Sequence, residues 1–176
     1  MKSKTILVWL LFLALSGNTG LNLFVLYNLS RIYTINTDFR PDNLSRHIQK
    51  KIEADNIKLP PIKIIKFVSA YAYKPSQIVF TGDSLIIFID MRLISELTDT
   101  EMKAVLAHEI GHYVLGHLNY RTLFEGVATF DGLDREMGAD FFAAKYEGRD
   151  AISSAVKKLV WDEVEKTTRL KALSSH

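Results

Sequence analysis

The chain is 176 residues long, with 48% hydrophobic and 24% charged residues, a formal net charge of +2 and no cysteine. That length suits one compact domain with an additional segment, and a small charge without any dense Lys/Arg run gives nucleic-acid binding no support. The lack of cysteine excludes disulfides, thiolate ligands and a cysteine nucleophile, so a metal site has to be built from His, Asp and Glu.

The chain begins "MKSKTILVWLLFLALSGNTGLNLFVLYNLS". Two readings of residues 1–29 compete. Lys2 and Lys4, a short apolar run and the small residues Ala14 and Ser16 resemble a secretory signal peptide. Alternatively, Thr5 to Leu29 is long enough to cross a bilayer as a single anchor, with Gly17 and Gly20 tolerated there. Basic residues on the two sides nearly balance (Lys2 and Lys4 against Arg31, Arg40 and Arg46), and the signal-like start favours export of the rest. The expectation is a cell-envelope protein, exported or membrane-anchored, with its main domain outside the cytoplasm.

Residues 30–41 read as a connector and 42–176 as the folded domain. Leu44, Ile48 and Ile52 recur every four residues, which predicts an amphipathic helix over Asp42 to Asn56, stopped by Pro60 and Pro61. Ile62 to Tyr73 is rich in β-branched and aromatic residues and predicts a strand. Gln77 to Phe80 and Leu85 to Asp90, separated by the turn-forming "TGDS", predict two more. The expected sheet is small, three-stranded and largely antiparallel. Thr98 with Glu101 forms a capping-box pattern, and Val105, Leu106, Ile110, Val114 and Leu115 keep helical spacing after it. Leu118 to Leu133 is weakly patterned and reads as a loop covering the site. A helix from about Asp134 to Gly148 follows, then a last one capped by Asp150, with Ile152, Val156, Leu159, Val160 and Val164 on one face.

Three of the five histidines fall within "HEIGHYVLGH". His108-Glu109-Ile110-Gly111-His112 is an H-E-x-x-H pattern. Residues four apart on a helix share a face, so both imidazoles can address one zinc ion. Glu109 is not a ligand in that arrangement. It stands beside the metal-bound water, takes its proton during attack on a carbonyl, and passes it to the leaving amine. The competing reading is a metal-free core helix, but two imidazoles on one face with a carboxylate beside them are not ordinary core.

A catalytic zinc has three protein ligands and an open position. His117 follows His108 by nine positions, out of register with the metzincin pattern, so it reads as a supporting residue or a helix end. Glu136 is the better third ligand. Asp140 lies one turn further on the same face and can accept a hydrogen bond from the far nitrogen of a ligand histidine. Glu125 is a weaker rival, and Arg135, Glu136 and Asp140 can also be read as a solvated face.

"HEIGHYVLGH" followed by "EMGAD" resembles the metallopeptidase family that includes the HtpX-like proteases and the CAAX prenyl-protein endopeptidases. The resemblance spans about Tyr71 to Tyr146. It implies an α+β zincin domain of the gluzincin type, with the sheet packed on an active-site helix and two or three further helices. It also implies one zinc ion held by His108, His112 and Glu136, Glu109 as the catalytic residue, and Asp140 and His117 behind the ligands. "LIIFID" would match the family's cleft-lining strand, so extended or unfolded polypeptide is expected to pair with Leu85 to Asp90. A family His-Pro segment and its following Arg have no clear counterpart, which leaves Arg169 and His176 as candidates for stabilising the transition state. The several transmembrane helices of the larger branches have none either, which favours a small secreted or single-anchor member. The expected function is zinc metalloendopeptidase, with a protein or peptide substrate, membrane contact through an uncleaved N-terminal segment and no nucleic-acid partner. The alternative is an inactive zinc-binding, membrane-associated adaptor or regulator.

Overall fold

The computed structural model of the chain describes residues 32–36, 43–69, 76–90, 95–118 and 131–175. The N-terminal apolar segment, Glu125, His176 and most of the loop expected over the site lie outside them. Among the described residues no helix is long and apolar enough to cross a membrane.

In chain order the elements are β1 (Ile32–Asn36), α1 (Asn43–Glu53), β2 (Ile62–Ser69), β3 (Ser76–Phe80), β4 (Leu85–Asp90), α2 (Asp99–Val114), α3 (Asp131–Glu147), α4 (Arg149–Leu159) and α5 (Glu163–Ser175). The fold is α+β, as the motif pattern implies. Its sheet has four strands in the order β1-β2-β4-β3. β1 lies within the stretch read as a connector and pairs antiparallel with β2. α2 is joined by four further helices among the described residues, more than expected.

The sheet is largely antiparallel, as expected, but it corrects the strand count and the strand expected to meet substrate. β2 and β4 pair in parallel, from Ile62↔Leu85 to Phe67↔Asp90, while β3 and β4 form the antiparallel hairpin. Consecutive strands are neighbours only about two-thirds of the time, and here β4 inserts between β2 and β3. β4 therefore has a strand on each side and cannot receive an extended substrate along Leu85 to Asp90. Among the described residues the free edge next to it belongs to β3.

The core follows from the two side-chain periods. Leu85, Ile87 and Ile89 of β4 point inward at every second residue and are at most 4% exposed. They meet Ile62 and Ile64 of β2, Ile48 and Ile52 of α1, and Leu106 and Ile110 of α2 in one apolar cluster. Ile48 and Ile52 are fully buried, as their four-residue spacing predicts.

The start of α2 carries the predicted capping box. Thr98 Oγ1 accepts from the Glu101 amide, and Glu101 Oε2 accepts from the Thr98 amide at 2.7 Å. Glu101 is buried and reaches further, accepting from Ser154 Oγ at 2.5 Å and from Lys158 Nζ at 2.8 Å on α4.

The single last helix expected from Asp150 is two. α4 stops at Val160, whose backbone is extended, and α5 restarts where Asp162 Oδ1 accepts from the Glu165 amide at 2.8 Å. The apolar spacing through Val164 hid a second N-cap, with Glu163 and Glu165 in the first turn where the helix dipole favours them. Val164, expected on the inward face, is 75% exposed. The break turns the chain so that α5 can return to α3.

Burial alone would raise the Glu101 pKa. Lys158, Ser154 and Thr98 outweigh it and lower the value to about 2 from 4.5. A carboxyl depressed on folding adds stability that is present above its unfolded pKa and is lost as pH falls through the folded one. Glu101→Gln should therefore lower stability at pH 7 by about 2 kcal/mol, read as a lower denaturant midpoint. The difference from wild type should shrink between pH 4.5 and about 2.

Candidate metal centre

α2 carries His108, Glu109 and His112 through the middle of the fold, with His108 and Glu109 buried. One turn separates the two imidazoles. Their rings meet edge to face at 4.7 Å, with the Nε2 atoms 3.1 Å apart. α3 lies against this helix and brings in Glu136, whose Oε2 is 3.2 Å from His108 Nε2 and whose Oε1 is 3.7 Å from His112 Nε2.

The approach of α3 depends on Gly111. A Cβ at that position would lie 3.1 Å from Phe142 of α3, tighter than ordinary packing. Glycine between the two histidines lets the helices close far enough for Glu136 to reach both rings.

His117 is brought in by the end of α2. The Gly116 amide donates to Tyr113 O at 3.1 Å and the His117 amide to His112 O at 2.8 Å. This is a Schellman turn, and Gly116 supplies the positive φ of 73° that it requires. The turn folds His117 back over the helix, placing its Nδ1 3.0 Å from His112 Nδ1. Its ring lies near Gly138 of α3, where a Cβ would stand 3.5 Å away in ordinary contact.

Each imidazole thus has its far nitrogen engaged. His108 Nδ1 donates to Asp140 Oδ1 at 2.9 Å. His112 Nδ1 and His117 Nδ1 are within hydrogen-bond distance and share one proton between them. Burial lowers the His117 pKa, and the nearby His112 and Arg135 charges lower it further, which suits a neutral acceptor. Both Nε2 atoms then face Glu136.

Asp140 is 1% exposed and is clamped by Arg169 of α5. Arg169 Nε and Nη2 donate to its two oxygens at 2.7 Å each. Nη1 lies 2.9 Å from Glu165 Oε1 and 3.2 Å from Glu136 Oε2. The guanidinium expected as a candidate transition-state stabiliser is committed to three carboxylates. Its bond to Glu165 is an i,i+4 helix pair, which the sequence displays.

The charges reinforce one another. Burial would lower the His108 pKa, but Asp140 and Glu136 raise it to about 10. Burial would raise the Glu136 pKa, but His108 and His112 hold it well below the usual carboxylate range. Asp140 is lowered likewise by His108 and Arg169 against its burial.

One ligand atom from each of His108, His112 and Glu136 lies within 4.8 Å of the others. Donors placed 2.0–2.1 Å from a tetrahedral zinc would be separated by about 3.4 Å. The observed separations of 3.1, 3.2 and 3.7 Å bracket that value. The set is two imidazoles and a carboxylate, the chemistry of catalytic zinc sites. The Glu136 side chain is 27% exposed, so solvent reaches the cluster.

Glu109, the neighbour of His108, accepts a hydrogen bond from Ser76 Oγ at 2.5 Å. Ser76 was not among the residues singled out from the sequence. It lies 33 positions away and meets Glu109 only because β3 packs on α2.

Residues 39–133 match peptidase family M48, a span that includes His108, Glu109 and His112 but ends before Glu136. The chain is 26% identical over 129 residues to the protease HtpX of Pseudoalteromonas atlantica, covering 70% of this chain and 43% of that protein. It therefore spans less than half the length of this curated relative. In fold it is similar to the crystal structure of S. mikatae Ste24p, with a TM-score of 0.56 and 18% identity over 97% of this chain and 62% of the other.

Asp140 and Arg169 form a buried pair, and removing one partner leaves an uncompensated charge. Asp140→Ala and Arg169→Met should each lower the stability of the metal-free protein by about 3 kcal/mol. In denaturant titrations the double variant should lose clearly less than the sum of the two.

Proposed function

The chain belongs to peptidase family M48, and we propose that it is a zinc-dependent metalloendopeptidase acting on extended or unfolded protein substrates. The observation that carries this reading is the convergence of His108 Nε2, His112 Nε2 and the Glu136 carboxylate on one point, with a further carboxylate, Glu109, adjoining on the same helix.

In this reading His108, His112 and Glu136 hold one zinc ion. Bound there, zinc supplies Lewis acidity for a peptide carbonyl and lowers the pKa of a water. Glu109 accepts the proton of the attacking water and returns it to the leaving amine. Asp140 and His117 fix the tautomers and orientations of the two ligand imidazoles. Arg169 holds Asp140 and Glu136 in place rather than meeting the developing oxyanion.

An extended polypeptide docks on the outer edge of β3, with which no further strand pairs among the described residues. This replaces β4, the strand first expected to serve. Support comes from the sheet order and from the packing of β3 against the helix that bears the histidines. The apolar Thr5 to Leu29 segment supports attachment to a membrane in the cell envelope, with residues 42–176 as the peptidase domain.

Wild type and Glu109→Gln should each hold about one zinc after chelator washing, and Glu136→Ala should bind it far more weakly. Glu109→Gln should abolish cleavage of unfolded casein. His117→Ala should weaken zinc affinity about 10- to 100-fold. A wild type without zinc would refute the metal site. A zinc-loaded wild type that leaves casein intact would refute the endopeptidase and favour a binding or regulatory protein.

A further inference from the structure

Ser76 has no place in the mechanism above, yet its hydroxyl makes the one side-chain hydrogen bond recorded for Glu109 among the described residues. At 2.5 Å the contact falls in the range of charge-assisted O–H···O⁻ bonds. Glu109 is 5% exposed, so little solvent competes for it. Ser76 is also the first residue of β3, paired with Ile89 of β4, on the strand that forms the sheet edge.

We propose that Ser76 is a positioning residue that holds the Glu109 carboxylate in its working orientation and ties it to the substrate-binding strand. The proposal deepens the endopeptidase reading and rests on the role given there to Glu109. A glutamate side chain has three rotatable bonds, and proton transfer requires the carboxylate within hydrogen-bond reach of the proton it takes. A hydroxyl donor on a strand already packed against α2 restricts those rotamers before substrate arrives. Because Oγ and the strand backbone belong to one residue, a polypeptide pairing with β3 meets a base whose position is set by the same strand.

The hydroxyl could instead only solvate a buried charge. That role would affect stability and leave turnover of the folded enzyme unchanged, which separates the two. The test compares full-length wild type, Ser76→Ala, Ser76→Cys and Ser76→Thr. Zinc-loaded protein is assayed on a casein-derived peptide, and metal-free protein is used for the 13C resonance of the Glu109 carboxylate carbon, assigned through Glu109→Gln. Ser76→Ala should lower kcat about 10- to 100-fold with KM changed by less than about twofold. Zinc content should stay at wild-type level, and the Glu109 resonance should move. Ser76→Thr should restore both readouts. Ser76→Cys, a weak donor of similar size, should fall between and covers the case in which the alanine variant does not fold. An unmoved resonance, an unchanged kcat, or a rise in KM alone would overturn the proposal, the last by making Ser76 a substrate contact. If zinc-loaded wild type cleaves nothing, the endopeptidase reading fails by itself, and the metal-free resonance still decides whether Ser76 holds Glu109.

Discussion

Two carboxylates one turn apart on α3, Glu136 and Asp140, have to be held against two imidazoles one turn apart on α2. Each pair is an i,i+4 pair, so each helix presents its pair on a single face. Matching the faces requires helix backbones close enough for a glutamate to reach both rings. Gly111 permits this, since any side chain there would press on Phe142. The glycine inside H-E-I-G-H is therefore a packing requirement set by α3.

Bringing Glu136 and Asp140 together also concentrates negative charge, which a low-dielectric site tolerates only with compensation. Arg169 provides it, with both Asp140 oxygens in its fork and Glu136 and Glu165 on the remaining nitrogen. Among the described residues no buried side-chain polar atom lacks a partner. In the metal-free protein the His108 proton completes the balance, which is why Asp140 and Glu136 raise its pKa so far. A metal ion held by His108 and His112 would need their Nε2 atoms free of protons, so its binding would be coupled to proton release. The contacts to Asp140 and His117 use the Nδ1 atoms and would not compete with it.

The parts of this arrangement set by local rules were legible in the sequence. Spacing identified His108, Glu109 and His112, and spacing again paired Glu136 with Asp140. The Thr98–Glu101 capping box and the inward faces of α1 and β4 follow from short-range pattern alone. His117 was legible as a supporting residue, although its mechanism, a Schellman turn at Gly116, needs the helix end to be located first. What depends on long-range pairing was not legible. Nothing in "LIIFID" says that β4 lies between β2 and β3, because a strand's sequence records which face is buried and not which neighbour it meets. β1, Ile-Tyr-Thr-Ile-Asn, has the β-branched and aromatic residues of a strand although it was read as connector; its pairing with β2 has no local signature. Ser76 becomes visible only once β3 rests on α2. The break between α4 and α5 was obscured by an apolar period running through it, although Asp162 with Glu165 marks the second start.

That break has consequences for the site. α5 fully buries Arg169 and Leu173, and Leu170 is partly buried against the apolar core. Two leucines contribute a few kcal/mol at about 2 kcal/mol for a fully buried one. The attachment of α5 therefore draws on the Arg169 ion cluster as well as on apolar contact. Dependence runs in both directions: Asp140 needs Arg169 to stay ionised in a buried position, and α5 needs Asp140 and Glu136 to stay docked. Any ligand that orders Glu136 and His108 also strengthens the surface on which α5 sits. Loosening of α5 removes the charge that lets Asp140 orient His108. The last described helix, distant in sequence from the H-E-x-x-H motif, is thus part of the support of the candidate metal centre in the same sense as the helix that bears the histidines.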